Sequence, residues 1–194
     1  MDEFGRTRSG YESASEAYVE KYLSESIAAR FGEAFLDAVD GPQLLDIGCG
    51  PGADIETFAA DGFDVTGLDI TRPFLREADD RLPESALVQG DMRRLPFDAA
   101  AFDGVWASAS FHHVPRRAAT ATLREFRRVL RSDGVAYISV KREGYQKPAD
   151  QDRHFEYYRP DGFRSLIGEG GLRAVEFRTG ENWLSALAKP DASP

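Results

Sequence analysis

The sequence predicts an α/β fold: a Rossmann-like, doubly wound, mostly parallel sheet with helices on both faces. Three observations support this prediction. Short apolar segments alternate with segments of helical periodicity over most of the 194 residues. The first apolar segment leads directly into a glycine-rich turn, and no repeat or low-complexity linker divides the chain. Strands that alternate with helices indicate βαβ units joined by right-handed crossovers.

The predicted elements follow one another as short apolar runs separated by amphipathic segments. Residues 11–38 place apolar or aromatic side chains mostly every three or four positions, which predicts one or two helices. The predicted strands cover residues 43–47, 63–68, 86–89, 102–107, 135–140, 173–177 and 183–188. Four helices are predicted between the strands. One follows the turn at 48–52, and the other three begin near Pro73, Pro115 and Pro160.

Residues typical of helix ends stand at the expected boundaries. Thr71 can act as the N-cap of the helix that begins near Pro73, and proline is favoured in a first helical turn. A long helix is predicted from Pro115 through Leu130, and Gly134 marks its stop before the fifth predicted strand. These positions support the alternation of strands and helices.

The composition is that of an ordinary globular protein, with 42% hydrophobic and 29% charged residues. No segment approaches the ~20 consecutive apolar residues of a membrane helix. The acidic start at Met1, Asp2 and Glu3 differs from the basic and then apolar layout of a secretion signal. The single cysteine, Cys49, excludes an internal disulfide. We therefore expect a cytoplasmic protein without a membrane partner.

The net charge of −9 disfavours a nucleic-acid partner, because phosphate binding usually requires a basic surface. The arginines of the helix that begins at Pro115 fall mainly on its polar side, which indicates a solvated face rather than an RNA-binding patch. The chain contains four lysines, twenty arginines and eighteen aspartates. This composition resembles that of proteins from halophilic archaea, and we expect such a source.

The glycine-rich turn follows the first predicted strand directly. Its residues GCGPGA (48–53) match the pattern G-x-G-x-x-G/A, which by itself fits either a ligand site or a tight structural turn. In an open parallel sheet, ligands bind beyond the carboxyl ends of the strands. Glycines there allow a ligand to approach the backbone and the free N–H groups of the following helix.

Two aspartates favour a ligand site over a structural turn. Asp69 ends the second predicted strand, where a carboxylate can accept hydrogen bonds from ribose hydroxyls, although a helix N-cap is an alternative role. Asp46 precedes Gly48 by two residues and points to the same side of the strand. A carboxylate at that position would repel a pyrophosphate, whereas it suits a ligand with an ammonium group and no phosphate.

Six stretches in order resemble those of one family. They are LDIGCGPG (45–52), VTGLDI (65–70), VQGDM (88–92), LPF (95–97), FDGVWA (102–107) and EFRRVLRSDG (125–134). Together they are similar to the class I S-adenosylmethionine-dependent methyltransferases, strongly over residues 40–140 and loosely in the flanks. The resemblance implies a seven-stranded sheet with one antiparallel strand, expected near Trp183. It also implies one methyltransferase domain, with a helical lid (1–40), a cofactor-binding core (41–140), and an acceptor loop with C-terminal strands (141–194).

The resemblance implies S-adenosylmethionine as the cofactor and assigns its contacts. Gly48, Gly50 and Gly52 would lie under the cofactor, and Asp46 would lie near its methionine end. Asp69 would bind the ribose hydroxyls. The adenine would contact the residues Ile70, Asp91 and Met92, with Asp91 accepting from its amino group unless it serves only as a turn residue. Ser108 would border the methionyl part and the acceptor.

Aromatic and histidine residues are candidates for the acceptor site. His112 and His113 follow the fourth predicted strand, and His113 is a possible general base. A structural role beside Pro115 is equally open for either histidine. The long connection 141–160, which is typical of a binding loop, contributes His154, Tyr157 and Tyr158. Stacking on a planar acceptor and simple packing are equally open roles for these rings. The segment YESASEAY (11–18) resembles the N-terminal helix that covers the cofactor in this family. The resemblance makes Tyr11 and Tyr18 candidates for a lid, although packing on a helix face is the simpler role for Tyr18.

The sequence thus predicts a methyltransferase that acts on an oxygen, nitrogen or carbon atom, with a small molecule as its acceptor. Two alternatives remain open: a tRNA methyltransferase of the wobble-uridine type, and a non-catalytic protein that binds S-adenosylmethionine. A nicotinamide-dependent dehydrogenase is disfavoured, since 194 residues leave little room for a second, substrate-binding part. No cluster of Cys and His residues has metal-ligand spacing, so no metal is expected.

Overall fold

The computed structural model describes residues 3–145 and 153–191, and within them seven strands form one sheet. The strands are β1 (Gln43–Ile47), β2 (Asp64–Asp69), β3 (Ala86–Gln89), β4 (Phe102–Ala107), β5 (Leu130–Lys141), β6 (Leu172–Thr179) and β7 (Trp183–Pro190). Their order across the sheet is β3-β2-β1-β4-β5-β7-β6. The predicted doubly wound α/β architecture is confirmed.

Strands β1 to β5 pair in parallel, whereas β7 lies between β5 and β6 and runs antiparallel to both. The expected single antiparallel strand near Trp183 is therefore confirmed. Because β1, β2, β4 and β5 are parallel, their carboxyl ends meet at one edge of the sheet. The antiparallel β7 begins at the same edge, with Trp183 opposite Lys141.

Eight helices flank the sheet in the part of the chain that the structure describes. They are α1 (Glu3–Ser13), α2 (Ser15–Leu23), α3 (Ile27–Phe31), α4 (Glu33–Leu36), α5 (Ala53–Ala60), α6 (Arg72–Arg81), α7 (Arg116–Val129) and α8 (Pro160–Glu169). A single 3₁₀ turn, Phe111–His113, follows β4. None of these helices has the length and apolar character needed to cross a membrane.

The N-terminal region contains four short helices, not the one or two that its periodicity predicts. The chain is interrupted before α3, where Ser26 caps the helix by accepting from the Ala29 N–H group. The Asp54 carboxylate also accepts from the Ala28 N–H group at 2.9 Å. These two side chains bind the free N–H groups at the start of α3, so a separate helix begins there. The spacing of apolar residues gives no sign of this interruption.

Alternate residues along the strands separate two hydrophobic clusters on opposite faces of the sheet. Leu45, Val105 and Ile138 pack with the apolar sides of α7 and α8, whereas Leu44 and Trp106 pack with α4 and α5. This is the two-residue period of a strand buried on both sides. The sheet therefore holds the loops at its carboxyl edge on a rigid base.

The long helix and the fifth strand differ from the predicted bounds. Helix α7 ends at Val129, one residue early, and β5 already begins at Leu130 instead of 135. Leu130 pairs with Phe102, and the register between β4 and β5 then shifts before Gly104. This irregular pairing is a tertiary contact and leaves no local signal. Residues 146–152, which belong to the predicted acceptor loop, lie outside the described residues, as do 1–2 and 192–194.

Candidate functional site

A cavity of about 430 Å³ opens at the carboxyl edge of the sheet. Its walls come from the glycine turn, the ends of β2 and β4, the tip of β5, and the helices α1 and α2. Of the residues proposed from the sequence, the cavity wall includes Tyr11, Gly48, Gly50, Asp69, Ile70, Met92, Ser108, His112 and His113. A cavity of this size at this edge is typical of a ligand site in an α/β protein.

The three glycines of the turn adopt left-handed backbone conformations, but each is needed for a different reason. A Cβ atom on Gly48 would lie 2.4 Å from the Cβ of Ser110, so this glycine allows two strand-end loops to touch. A Cβ on Gly52 would lie 2.8 Å from a methyl group of Leu82. A Cβ on Gly50 would meet no protein atom within 4 Å. Gly50 therefore borders open space, and packing within the chain does not require a glycine there.

Asp69 joins the glycine turn to the start of α6. Its Oδ2 accepts from the Gly50 N–H group at 3.0 Å, and its Oδ1 accepts from the Thr71 N–H group at 2.7 Å. Burial raises the pKa of Asp69 against the opposing effect of these hydrogen bonds. Each carboxylate oxygen has a second acceptor position, so Asp69 can also bind hydroxyl groups in the cavity.

Asp46 lies beneath the turn and does not line the cavity itself. It is buried, and its Oδ2 has no hydrogen-bond partner in the described part of the chain. Burial, and then the charges of Asp54 and Asp69, raise the pKa of Asp46 well above its usual value. A buried carboxylate that lacks a partner is costly, and a nearby cation would lower this cost.

The structure separates Asp91 from the other candidates for the adenine site. Ile70 and Met92 line the cavity, but the Asp91 carboxylate does not. Its Oδ2 accepts from the Arg93 guanidinium at 2.6 Å and 2.9 Å, and its Oδ1 accepts from the Arg93 N–H group at 2.9 Å. Asp91 thus fixes the loop after β3 through Arg93.

The loop after β4 is held in place by two serines. The Ser110 hydroxyl donates to the Ile47 carbonyl at 2.6 Å, and the Ala109 N–H group donates to Ser139 Oγ at 2.9 Å. Ala109 has a φ of +51°, a strained value for a residue other than glycine. Ser108 and Ala109 therefore present a fixed backbone to the cavity.

His113 and Tyr11 form a hydrogen-bonded pair in the cavity wall. The His113 Nδ1 lies 2.7 Å from the His154 carbonyl oxygen, which can only accept, so Nδ1 carries the proton. Nε2 is then the acceptor for the Tyr11 hydroxyl at 2.9 Å. The Tyr22 hydroxyl donates to the Tyr11 oxygen at 3.5 Å. Burial lowers the pKa of His113 to about 3, so the ring is neutral at pH 7.

His112 faces the same cavity but is enclosed by different neighbours. Its ring stacks on Phe155 with the centroids 5.3 Å apart and lies 5.7 Å from the Trp183 ring. Burial, and then the charge effects of His113 and Lys141, lower the pKa of His112 well below its usual value. Two neutral imidazoles therefore lie side by side, with centroids 4.5 Å apart.

Four of the acceptor and lid candidates lie outside the cavity wall. Tyr18 stacks on Tyr22, and the His154 ring contacts Glu156 at 3.0 Å. Tyr157 stacks on Tyr145 and Phe155. Tyr158 is fully buried against Phe111 and Phe163, so it packs in the core instead of contacting an acceptor.

Sequence reasoning missed the three cations of the cavity wall, Lys21, Lys141 and Arg153. Lys141 ends β5, and Arg153 lies 4.4 Å over the ring of Tyr11. The only available signal was that Lys141 is one of four lysines and follows a predicted strand at its carboxyl end. Arg153 lies in an aperiodic segment and gave no signal.

The comparisons with known proteins agree with this geometry. The family model described as "Methyltransferase domain" matches residues 45–138. A malonyl-[acyl-carrier protein] O-methyltransferase from Enterobacter lignolyticus is 30% identical over 190 residues, which cover 97% of this chain and 72% of that protein. The chain spans about half the length of three other curated relatives that it matches.

Two solved structures show the same fold. A chain from the complex of the Haloferax volcanii Trm112 methyltransferase activator has a TM-score of 0.80 at 17% identity, with 97% of this chain and 99% of that chain covered. The 1,6-didemethyltoxoflavin-N1-methyltransferase of Burkholderia thailandensis has a TM-score of 0.73 at 21% identity, with 94% and 84% covered. From the matched domain, the relative that matches along 97% of this chain and the sheet order, we conclude that the chain belongs to the class I methyltransferase family.

Proposed function

We propose that the protein transfers a methyl group from S-adenosylmethionine to a small-molecule acceptor bound in the same cavity. One observation carries this proposal. The glycine turn, the cavity-facing carboxylate of Asp69 and the unpartnered carboxylate of Asp46 lie together at the carboxyl edge of the sheet. That set suits a cationic nucleoside without phosphate groups.

The described residues fit this cofactor in three respects. The open space at Gly50 can accept a ligand against the backbone. Asp69 can accept from ribose hydroxyls, while Ile70 and Met92 offer an apolar surface for adenine. Asp46 supplies negative charge for the cationic end, which is consistent with its unpartnered Oδ2. Asp91 would contribute only through the loop that it holds with Arg93.

S-adenosylmethionine supplies, when bound, a methyl group on a positively charged sulfur that is a good leaving group. The residues of this chain then have to position an acceptor, exclude water and, for some acceptors, remove a proton. Tyr11 and His113 can take that proton in a relay. The Tyr11 oxygen would receive it while its own hydroxyl proton moves to the neutral Nε2 of His113.

A small acceptor is favoured over RNA by the charges outside the cavity. Arginines of α7 are paired with carboxylates of their own chain: Arg117 with Glu3, and Arg128 with Glu125. These ion pairs reduce the basic surface that this helix can offer to phosphates. The Burkholderia thailandensis neighbour is described with bound 1,6-didemethyltoxoflavin, a small molecule, which supports the same class of acceptor for this chain.

Three expectations from the sequence stay predictions: the division at residues 40 and 140 into lid, core and acceptor regions, the cytoplasmic location and the halophilic source. A methyltransferase-like protein that only binds the cofactor is the alternative to an enzyme. Turnover separates the two, because binding alone is common to both.

The experiment combines calorimetry with labelled turnover. We expect wild-type protein to bind S-adenosylhomocysteine, and to transfer labelled methyl groups to a fraction of cell extract that is resistant to nuclease. Absence of binding would contradict the cofactor assignment. Binding without transfer to any fraction would favour the non-catalytic alternative, and nuclease-sensitive transfer would favour RNA.

A further inference from the structure

His112 and His113 are neighbours in the cavity wall, but their ring nitrogens are used differently. Both nitrogens of His113 are hydrogen-bonded: Nδ1 donates to the His154 carbonyl at 2.7 Å, and Nε2 accepts from the Tyr11 hydroxyl at 2.9 Å. His112 is only 2% exposed, yet its Nδ1 has no hydrogen-bond partner in the part of the chain that the structure describes. Its Nε2 forms no hydrogen bond with the described residues either. The chain thus fixes one imidazole and leaves the adjacent one unpaired.

The His112 ring is nevertheless held firmly in its place. Phe155 stacks on it, with the ring centroids 5.3 Å apart and an angle of 12° between the planes. The Trp183 ring is tilted against it, with the centroids 5.7 Å apart. The main chain is fixed as well, because the His112 carbonyl accepts from the Glu156 N–H group at 2.7 Å. These contacts use the ring surface and the backbone, and none of them provides a hydrogen bond to a ring nitrogen.

The unpaired ring is electrically neutral. Burial, and then the charge effects of His113 and Lys141, lower the pKa of His112 well below its usual value. A neutral imidazole has one N–H donor and one lone pair, and few buried polar groups in proteins stay without a partner, because the loss of the hydrogen bond is costly. Since His112 lines the cavity, a bound molecule can provide the partner that the described chain lacks.

The state of the ring favours one kind of chemical group. No hydrogen bond within the described residues fixes the tautomer of His112, so either nitrogen can carry the proton. A hydroxyl group can donate to the lone pair or accept from the N–H group, and it therefore fits both tautomers. A carboxylate can only accept, and an ammonium group can only donate and would also meet the charge of Lys141 in the same cavity wall. An uncharged hydroxyl is the best complement.

We infer that His112 binds a hydroxyl group of the methyl acceptor and so positions and selects that acceptor. The acceptor is then an uncharged molecule with a hydroxyl group in addition to the atom that receives the methyl group. The His113 ring, whose centroid lies 4.5 Å from that of His112, serves the methylated atom through Tyr11. This inference rests on the proposed function, since it assigns the acceptor half of the same cavity.

The test uses pairs of small molecules that differ in one hydroxyl group. Catechol, resorcinol and hydroquinone are compared with ortho-, meta- and para-cresol, in which a methyl group of similar size replaces one hydroxyl. Each compound is titrated by calorimetry into protein saturated with S-adenosylhomocysteine. In the wild type we expect at least one dihydroxybenzene to bind at least about tenfold more tightly than its cresol, because the cresol offers one hydroxyl fewer to the His112 nitrogens.

Two variants separate the hydrogen bond from the shape of the wall. His112→Phe keeps an aromatic ring that can stack on Phe155 but has no ring nitrogen, so the preference for the dihydroxybenzene should disappear. His112→Gln restores a donor and an acceptor and should retain a preference of at least about threefold. Both variants should bind S-adenosylhomocysteine as the wild type does, which shows that they fold and keep the cofactor site.

A second measurement is made on the wild type and does not depend on the folding of His112→Phe. The protein is labelled with the heavy nitrogen isotope at histidine, so that nuclear magnetic resonance reports the tautomer and the hydrogen bonding of each ring. A bound dihydroxybenzene should shift the nitrogen signals of His112, which are identified by their absence in His112→Gln. His113 should keep its proton on Nδ1.

Four results would contradict a contact between His112 and a hydroxyl group: no binding of any dihydroxybenzene, equal binding of each dihydroxybenzene and its cresol, an unchanged preference in His112→Phe, or unchanged nitrogen signals of His112 on binding. The proposed cofactor is tested separately by titrating S-adenosylhomocysteine alone. If that ligand fails to bind, the proposed function is contradicted, while the hydroxyl preference and its dependence on His112 are still measured on the unliganded protein.

Discussion

The Tyr11 hydroxyl lies 2.9 Å from Nε2 of His113, although the two residues are 102 positions apart in the chain. The pair connects helix α1 to the 3₁₀ turn after β4, and it lies in the wall of the cavity at the carboxyl edge of the sheet. The His154 carbonyl fixes the tautomer of His113, so its free lone pair points to Tyr11. The phenol therefore takes the free lone pair of the imidazole, so a proton that reaches Nε2 along this pair comes from Tyr11.

Tyr11→Phe should therefore slow methyl transfer without changing cofactor affinity. Removing the hydroxyl interrupts the path by which a proton reaches His113, and proton transfer to a positioned side chain typically contributes about 10²-fold or more to a rate. We expect at least a tenfold fall in kcat in single-turnover assays. Tyr18→Phe is the matched control, since Tyr18 neighbours Tyr11 but does not line the cavity. Equal rates for both variants would remove Tyr11 from the reaction.

The buried histidine should make stability fall as the pH decreases below neutral. The pKa of His113 is lowered from 6.5 to about 3, so between these values the unfolded chain binds a proton at this position that the folded chain does not. From pH 7 to pH 5 this difference costs about 2 kcal/mol of unfolding free energy. Between pH 7 and pH 5, the His113→Gln variant should therefore lose about 2 kcal/mol less unfolding free energy than the wild type. Urea titrations of both proteins at each pH measure this difference. Parallel pH profiles of the two proteins would contradict a buried neutral imidazole.

Gly48 and Gly50 should respond differently to alanine. At Gly48 the new Cβ would meet Ser110 at 2.4 Å with φ at +77°, so Gly48→Ala should lower the unfolding free energy by about 2 kcal/mol or more. At Gly50 nothing lies within 4 Å, so only the cost of the left-handed backbone, about 1 kcal/mol, is expected. Gly50→Ala should instead weaken S-adenosylhomocysteine binding at least about tenfold, because the methyl group would enter the ligand space. Unchanged affinity would place the ligand elsewhere.

Asp69 and Asp91 offer a second matched pair. Asp69→Ala should abolish cofactor binding in calorimetry, and it should also cost about 1–3 kcal/mol of stability, because the Gly50 and Thr71 N–H groups lose their acceptor. Asp91→Ala should retain affinity within about threefold, since the Asp91 carboxylate is held by Arg93 outside the cavity wall. A large loss of affinity in Asp91→Ala with an intact fold would restore its expected contact with adenine.

The sequence by itself determined the α/β fold, the glycine turn and the position of Asp69. These features have local signals: a two-residue period in strands, a helical period in α5 to α8, and glycines at fixed offsets from a strand end. The parallel arrangement then places the ends of β1 and β2 side by side, so Asp69 and Gly50 meet without further information.

Only the tertiary structure decided the acceptor half of the cavity. Arg153 reaches the Tyr22 hydroxyl across 131 positions, and Lys141 meets Trp183 because β7 returns antiparallel to β5. Tyr158, by contrast, was removed from the candidates by burial against Phe163. Such placements depend on how distant segments pack. Lys141 and Arg153 both line the cavity, although their positions have no periodic relation in the chain. Local propensity therefore cannot predict that the two side chains lie near each other.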